Sequence, residues 1–232
     1  MISGMLDEII KERILDFHEE GIPEYVPRDM DLVHFKDMAT TIVGGRKTGK
    51  TYLTYQFIDR MIQEGTIESV RDVCYLHFDD ESLMALKTSD LSKIDRIFLS
   101  LGPLKKPAGR NILFVFDEIH KIEGWQEFVL RLRKKRNQFV IVTGSSADIE
   151  EDKVAKQLRG KTFTYRLYPL SFREFTRFLG IEPKGAAFSG SMAARMADAF
   201  PGHPGLLHAG NGGGGKEGDQ GLFPAWKKIS KD

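Results

Sequence analysis

The chain has 232 residues, 41% hydrophobic and 29% charged, enough for one well-filled core with tails. Its 34 Lys and Arg against 33 Asp and Glu give a formal net charge of +1, so overall charge demands neither nucleic acid nor an anionic membrane. The single cysteine, Cys74, excludes an internal disulfide and fits a reducing cytoplasm, and the apolar runs are too short to span a bilayer.

The opening residues Met1-Ile2-Ser3-Gly4, followed by Asp7 and Glu8, do not form a secretory signal. Ile2, Met5, Leu6, Ile9, Ile10, Ile14 and Phe17 recur at helical spacing and predict an amphipathic helix over 3–20 that packs on the main domain. Gly21 ends it, and Pro23 and Pro27 keep the following stretch extended. Apolar β-rich runs then predict strands over 39–43, 73–78, 111–116, 138–143 and 162–167. Helical patterns lie between them, over 50–64, 91–101, 125–135 and 150–158. This alternation implies a parallel sheet covered by helices on both faces, with right-handed crossovers gathering the active loops at the C-terminal ends of the strands. After Leu179 the composition shifts. Residues 185–232 hold 11 of the 23 glycines, Gly212 to Gly215 among them. Ser189 to Phe200 can still form a helix, and the chain from Pro201 onward, Phe223 and Trp226 included, is expected to be flexible. The domain reading is therefore a helix and approach segment over 1–35, a core over 36–180, a helical extension over 181–200 and a Gly-rich tail over 201–232.

The segment Gly44-Gly45-Arg46-Lys47-Thr48-Gly49-Lys50-Thr51 fits the pattern G-x-x-x-x-G-K-[ST], with a β-rich run before it and an amphipathic helix after it. Glycines let such a loop curl until several N–H groups point at one phosphate, and the positive end of the next helix adds to the attraction. Lys50 is the candidate for the β- and γ-phosphates, Thr51 for a Mg²⁺ ligand, and Tyr52 completes the binding segment. The second signal is Ile112-Leu113-Phe114-Val115-Phe116-Asp117-Glu118, a buried strand ending in two carboxylates. In this position, the Walker B position of a phosphate-loop protein, Asp117 serves the Mg²⁺ shell and Glu118 polarises an attacking water. One predicted strand, 73–78, falls between loop and carboxylates. That favours the additional-strand division, in which the strand carrying Asp117 is not the spatial neighbour of the first. The following strand runs into Thr143-Gly144-Ser145-Ser146, where a polar side chain can sense the γ-phosphate. Ser145 is the first candidate, then Ser146 and Thr143; a helix cap or turn explains the same residues equally well.

Weaker signals have plainer readings. The basic run Arg131, Arg133, Lys134, Lys135 and Arg136 can touch nucleic acid, but Trp125, Phe128, Val129 and Leu132 read as a buried helical stripe with its cations at the favourable C-terminal end. His77 and Asp79 share a strand face as a metal pair or, more simply, as a polar strand end. Asp79, Asp80 and Glu81 read as loop acids and a helix start, and His120 as a residue orienting the loop after Glu118. Nothing beside Cys74 marks it as an activated nucleophile. No Asn-Lys-x-Asp occurs, so adenine is the default base.

The segments GGRKTGKT, FVFDEIHKIEGW, VTGSSA and YPLSFREF, in this order, resemble the prokaryotic AAA-superfamily P-loop ATPases of the DEI-x-x-GW / TGSS / PLSFREF type. The resemblance covers about residues 22–179, including Val26-Pro27-Arg28 and Phe78-Asp79-Asp80. It implies a three-layer α/β/α P-loop NTPase with a mostly parallel five-stranded sheet of the additional-strand (ASCE/AAA) type. It also implies a Mg²⁺-dependent ATPase with Lys50, Thr51, Asp117, Glu118 and Ser145 in its site, and a neighbouring subunit, hence a homo-oligomer, that completes that site. Two departures stand out. Family members read L-x-G-R before the last strand, their arginine a candidate for a trans or sensing contact with the γ-phosphate; this chain has Leu158-Arg159-Gly160-Lys161, where Lys161 keeps the charge but not the planar fork and Arg159 can take over. The family also continues into a winged-helix-like segment and a nuclease-like module, where this chain has its Gly-rich tail, so the output module is expected to be missing. The leading expectation is ATP hydrolysis driving a conformational switch toward an unidentified protein partner. The alternatives are a nucleotide-gated binding module with little turnover and a small-molecule phosphotransferase.

Overall fold

The computed structural model describes residues 2–35, 37–102, 109–135, 137–145 and 151–180. The elements run α1 (Ile2–Glu20), β1 (Ala39–Gly44), α2 (Lys50–Gln63), β2 (Val73–His77), α3 (Leu91–Ser100), β3 (Ile112–Asp117), α4 (Trp125–Leu132), β4 (Gln138–Ser145), α5 (Glu151–Gln157), β5 (Thr162–Leu167) and α6 (Phe172–Phe178). The chain divides into two compact units, Met1–Phe175 and Thr176–Asp232. The first contains the whole sheet. Of the second, residues 176–180 belong to the described set: 176–178 are helical and 179–180 form a turn. Ser146, the helix expected over Ser189–Phe200 and the Gly-rich tail lie outside the described residues.

The five strands pair in the order β2-β3-β4-β1-β5, and every pairing is parallel. β4 therefore sits between β1 and β3, which is the additional-strand arrangement the sequence implied. Successive side chains of a strand face opposite ways, and the apolar residues divide accordingly. Leu113, Val115, Phe139, Ile141 and Ile42 join Leu53, Phe57, Ile58 and Met61 of α2 on one face. Phe114, Phe116, Val140 and Val142 join Ile94 and Phe98 of α3, Trp125, Phe128 and Val129 of α4, and Val154 of α5 on the other. Because both faces are covered, the central strands read as unbroken apolar runs in the sequence.

α1 closes the β2 edge. Ile10 and Ile14 join one apolar layer and Phe17 the other, where its ring stacks on Tyr75 at 4.7 Å. His18 Nε2 lies 2.9 Å from the carbonyl of Val73, and burial holds its imidazole below its ordinary pKa despite that bond. Met5, expected on the packed face, is 68% exposed: it completes the first turn, ahead of the stretch that meets β2. Gly21 takes a φ of 74° and donates its N–H to Phe17, a left-handed helix stop that favours glycine.

Helix α4 ends at Leu132, short of the 135 expected, so Arg133 to Lys135 follow it in a turn rather than forming its last turn. Three charges of the basic run are used within the chain. Arg131 and Lys135 both pair with Asp95 of α3, and Arg133 Nη1 donates to the Asp37 carbonyl at 2.6 Å. Asp79 lies beyond the end of β2 and pairs with Lys121 at 3.1 Å. Asp80 caps a short 3₁₀ turn by accepting from Ser82 N–H. Among the described residues, no group of three or more His, Cys, Asp or Glu is placed to hold a metal. Among them too, no helix is long and apolar enough to cross a membrane. Burial raises the Cys74 thiol well above its ordinary range, the opposite of an activated nucleophile.

Candidate functional site

Parallel strands bring their C-terminal ends together. In register, Gly44 of β1 lies beside Ser145 of β4, and His77 of β2 beside Asp117 of β3. The loop 44–49 leaves β1 at this end and turns into α2. Glycine is required at its base: a Cβ on Gly44 would stand 2.6 Å from the carbonyl oxygen of Leu167. At its far end Gly49 takes a φ of 90° and serves as N-cap of α2 without any side-chain cap. The first amides of α2 are thus left to face an anion. Thr48 Oγ1 ties the loop across itself by donating to the Gly45 carbonyl at 2.9 Å. Arg46 and Lys47 are exposed at the tip, and Tyr52 is half exposed on the first turn of α2.

Lys50 is buried. Its ammonium donates to the Gly45 carbonyl at 3.1 Å and the Gly44 carbonyl at 3.4 Å, and pairs with Glu118 Oε1 at 3.0 Å. Glu118 has a left-handed backbone, φ 55°, which costs a non-glycine residue roughly 1–2 kcal/mol. The bond from its N–H to Thr143 Oγ1, 3.0 Å, holds it there. His120 Nδ1 approaches Glu118 Oε2 at 3.3 Å.

Asp117 is wholly buried and meets four hydrogen-bonding side chains. Its Oδ2 accepts from Thr51 Oγ1 at 2.6 Å and from the Tyr75 phenol at 3.0 Å, and lies 3.0 Å from His77 Nδ1. Its Oδ1 accepts from the Thr143 hydroxyl. Burial by itself would raise this carboxyl, but the bonds from His77, Thr143 and Thr51 outweigh it and the pKa is lowered. The same bond raises the His77 pKa above its ordinary value. The donor set suits Mg²⁺: two hard oxygens, the Thr51 hydroxyl and the Asp117 carboxylate, stand together at the start of α2. An ion that retains water and shares phosphate oxygens needs no fuller protein cage.

The sequence-derived candidates Gly44 to Thr51, Asp117 and Glu118 thus lie together, with Ser145 buried beside Gly44. Thr143, ranked behind Ser145, instead bridges Asp117 and the Glu118 amide. Arg159 and Lys161 do not join them. They precede β5, whose first residue pairs with Ala39 at the opposite end of β1, about 20 Å of strand from the loop. Arg159 pairs there with Glu127 at 2.8 Å. Neither can touch a phosphate held by the loop of its own chain.

Residues not anticipated for the site are Tyr75, the bond of His77 to Asp117, Arg28 and Glu174. Tyr75 and His77 alternate along β2 toward one face, a legible pattern, but its meaning depended on β2 lying beside β3. Arg28 and Glu174 form a buried pair, Nε to Oε1 2.7 Å, behind the loop. Burial alone would raise the Glu174 carboxyl. The bonds from Arg28, from Ser171 and from the Asp29 amide overcome that and bring it to about 2, from an ordinary 4.5. A carboxyl depressed by folding stabilises above its unfolded pKa and loses that contribution as the pH falls through the folded one. Stability is therefore expected to drop by about 3 kcal/mol between about pH 4.5 and pH 2 on account of this group. Urea unfolding across that range checks it, and Glu174→Gln should flatten that part of the profile.

A family model described as AAA domain matches residues 36–176. An uncharacterized protein of Methanocaldococcus jannaschii is 30% identical over 186 residues, covering 79% of this chain and 39% of that protein. An uncharacterized protein of Haemophilus influenzae is 33% identical over 147 residues, covering 62% of this chain and 35% of that protein. The chain thus spans well under half the length of these relatives. Among solved structures, C. elegans PCH-2 is similar at a TM-score of 0.41 and 11% identity, covering 81% of this chain and 50% of that one. Drosophila ORC bound to GC-rich DNA and Cdc6 is similar at a TM-score of 0.29 and 9% identity, covering 87% of this chain and 69% of that one. Scores this low leave the fold assignment resting on strand order and loop geometry.

Proposed function

This chain belongs to the AAA domain family, and on that premise we propose that it binds ATP with Mg²⁺ at the Gly44–Thr51 loop and hydrolyses it to drive a conformational switch. The observation that carries this reading is the convergence of Lys50, Thr51, Asp117 and Glu118 at the C-terminal ends of β1 and β3. The amides of the loop and of the first turn of α2 receive the phosphates. Lys50 exchanges Glu118 and the loop carbonyls for phosphate oxygens. Thr51 and Asp117 would hold Mg²⁺, which when bound neutralises charge on the β- and γ-phosphate oxygens. Glu118, released from Lys50, orients a water in line with the leaving oxygen and accepts its proton. Ser145 stands at the end of β4 as the sensor of the γ-phosphate.

A second reading, a nucleotide-gated module with little turnover, gains support from the position of Arg159 and Lys161. One copy of the chain presents neither residue to its own site. Fast hydrolysis then needs a second copy to supply a cation in trans. The deciding experiment measures ATP binding, with and without Mg²⁺, and phosphate release across a range of protein concentrations. Release whose specific rate rises with concentration supports a shared hydrolytic site. Tight binding without release supports the gated module. Absence of binding overturns both.

A further inference from the structure

Arg28 lies 20 residues before Thr48 in sequence and directly behind it in the fold. Its Nη1 donates to the Thr48 carbonyl at 2.6 Å. Its Nη2 donates to the Tyr168 carbonyl at 2.8 Å, and Nε and Nη2 reach the two oxygens of Glu174 at 2.7 and 3.4 Å. The backbone of Arg28 is fixed as well: its N–H donates to Gln56 Oε1 at 2.7 Å, and Gln56 Nε2 donates to its carbonyl at 3.1 Å. Glu174 is held in turn by the Ser171 and Asp29 amides at 2.7 and 2.9 Å. The segment 167–174 therefore forms the outer wall of the loop. The Leu167 carbonyl closes over Gly44, and Tyr168 and Glu174 meet the guanidinium.

A trans peptide unit is planar, and its C=O and N–H point in opposite directions. None of the described peptide bonds is cis. Holding the Thr48 carbonyl outward on Arg28 therefore turns the Gly49 N–H, which belongs to the same unit, away from Arg28. Gly49 is where this matters most. Without a Cβ, Gly49 can take its φ of 90° and leaves the orientation of this peptide to outside anchors, and a Cβ there would come within 3.4 Å of Arg28 Nη1. We infer that Arg28 is a positioning residue for phosphate binding: anchored by Glu174, it fixes the Thr48–Gly49 peptide so that the Gly49 N–H faces the bound phosphates. The inference rests on the reading of this loop as the nucleotide site. A lysine cannot replace Arg28, because one ammonium cannot serve the Thr48 and Tyr168 carbonyls and a bidentate carboxylate from a planar fork.

The test titrates ADP into the wild-type chain, Arg28→Lys, Glu174→Gln and Tyr25→Phe, with the unfolding midpoint of each nucleotide-free protein recorded. Arg28→Lys is expected to weaken ADP at least tenfold and Glu174→Gln by a smaller factor. Tyr25→Phe removes the bond of the same approach segment to Asp59 without touching Arg28 or the peptide, and is expected to lower the midpoint yet keep ADP affinity within about twofold. Equal losses in Arg28→Lys and Tyr25→Phe would make the role merely structural and overturn the inference. So would undiminished affinity in a folded Arg28→Lys protein. If Arg28→Lys does not fold, a structure of the wild-type chain with ADP decides. The Gly49 N–H within hydrogen-bond distance of a phosphate oxygen, with Arg28 still on the Thr48 carbonyl, supports the inference; a turned peptide or a released Arg28 overturns it. Failure of the wild-type chain to bind ADP removes the nucleotide reading itself, a different outcome from wild-type binding that Arg28→Lys shares in full.

Discussion

Replacing Glu118 with Gln is expected to lower ATP turnover by about 10²- to 10⁴-fold while ATP binds at least as tightly as before. The substitution keeps the shape of the side chain but removes its charge and its capacity to accept a proton. In the nucleotide-free protein, Glu118 Oε1 stands 3.0 Å from Lys50 Nζ, so the carboxylate competes with phosphate for the one buried ammonium of the loop. Gln competes more weakly, which frees Lys50 for the ligand. Phosphate release and equilibrium ATP binding, measured on the same preparations, separate the two effects. Full turnover in Glu118→Gln would remove Glu118 from the role of base. A parallel loss of binding would show that its part is to hold the loop.

The second large effect is expected at Asp117. Asp117→Asn should destabilise the nucleotide-free protein by about 3 kcal/mol and lower turnover at least a hundredfold. Thr51 and Tyr75 both donate to Oδ2, where His77 also bonds, and Thr143 donates to Oδ1. An amide must put its NH₂ at one of these positions, against groups that already offer hydrogens. Tyr75 cannot relieve the conflict by ionising, since burial, the largest cause of its raised pKa, persists when the Asp117 charge is gone. His77 supplies an independent readout. Its pKa is raised chiefly by the bond to Asp117, so in Asp117→Asn it should fall back toward 6.5, observable by titrating the ring resonances. Urea unfolding gives the stability change. An unchanged midpoint together with an unmoved His77 would mean that Asp117 is not the hub of this network.

The elements of this protein were largely legible before the structure because their signals are local. The strand over Thr162–Leu167 has the bounds the sequence implied, and the other four strands differ by a residue or two at their ends. Strand ends are set by where pairing stops, which depends on the neighbouring strand. β4 extends to Ser145 because Gly44 pairs with it. The short helix Phe172–Phe178 was not recognised. Its seven residues give too little periodicity, though its start carries a local signal: Ser171 and Glu174 form a reciprocal capping box, the Ser171 amide donating to Glu174 Oε2 and the Glu174 amide to Ser171 Oγ.

The site divides in the same way. A glycine-lysine-threonine spacing and an apolar strand ending in Asp-Glu carry their chemistry in consecutive residues, so Gly44 to Thr51, Asp117 and Glu118 could be singled out from the chain alone. The partners that tune them could not. Tyr75 reaches Asp117 across 42 residues, and Arg28 reaches Glu174 across 146. Whether Arg159 or Lys161 could reach the phosphates of its own chain was not legible either: strand direction puts both at the far end of β5, which leaves only a contact in trans. Sequence by itself determined the strand and helix segments, the layered parallel class and the phosphate-loop and carboxylate motifs, because backbone period and glycine placement are properties of neighbouring residues. Tertiary structure alone decided which side chains surround those motifs, because strand order and the direction of each strand bring together residues whose separation in the chain carries no trace of their contact.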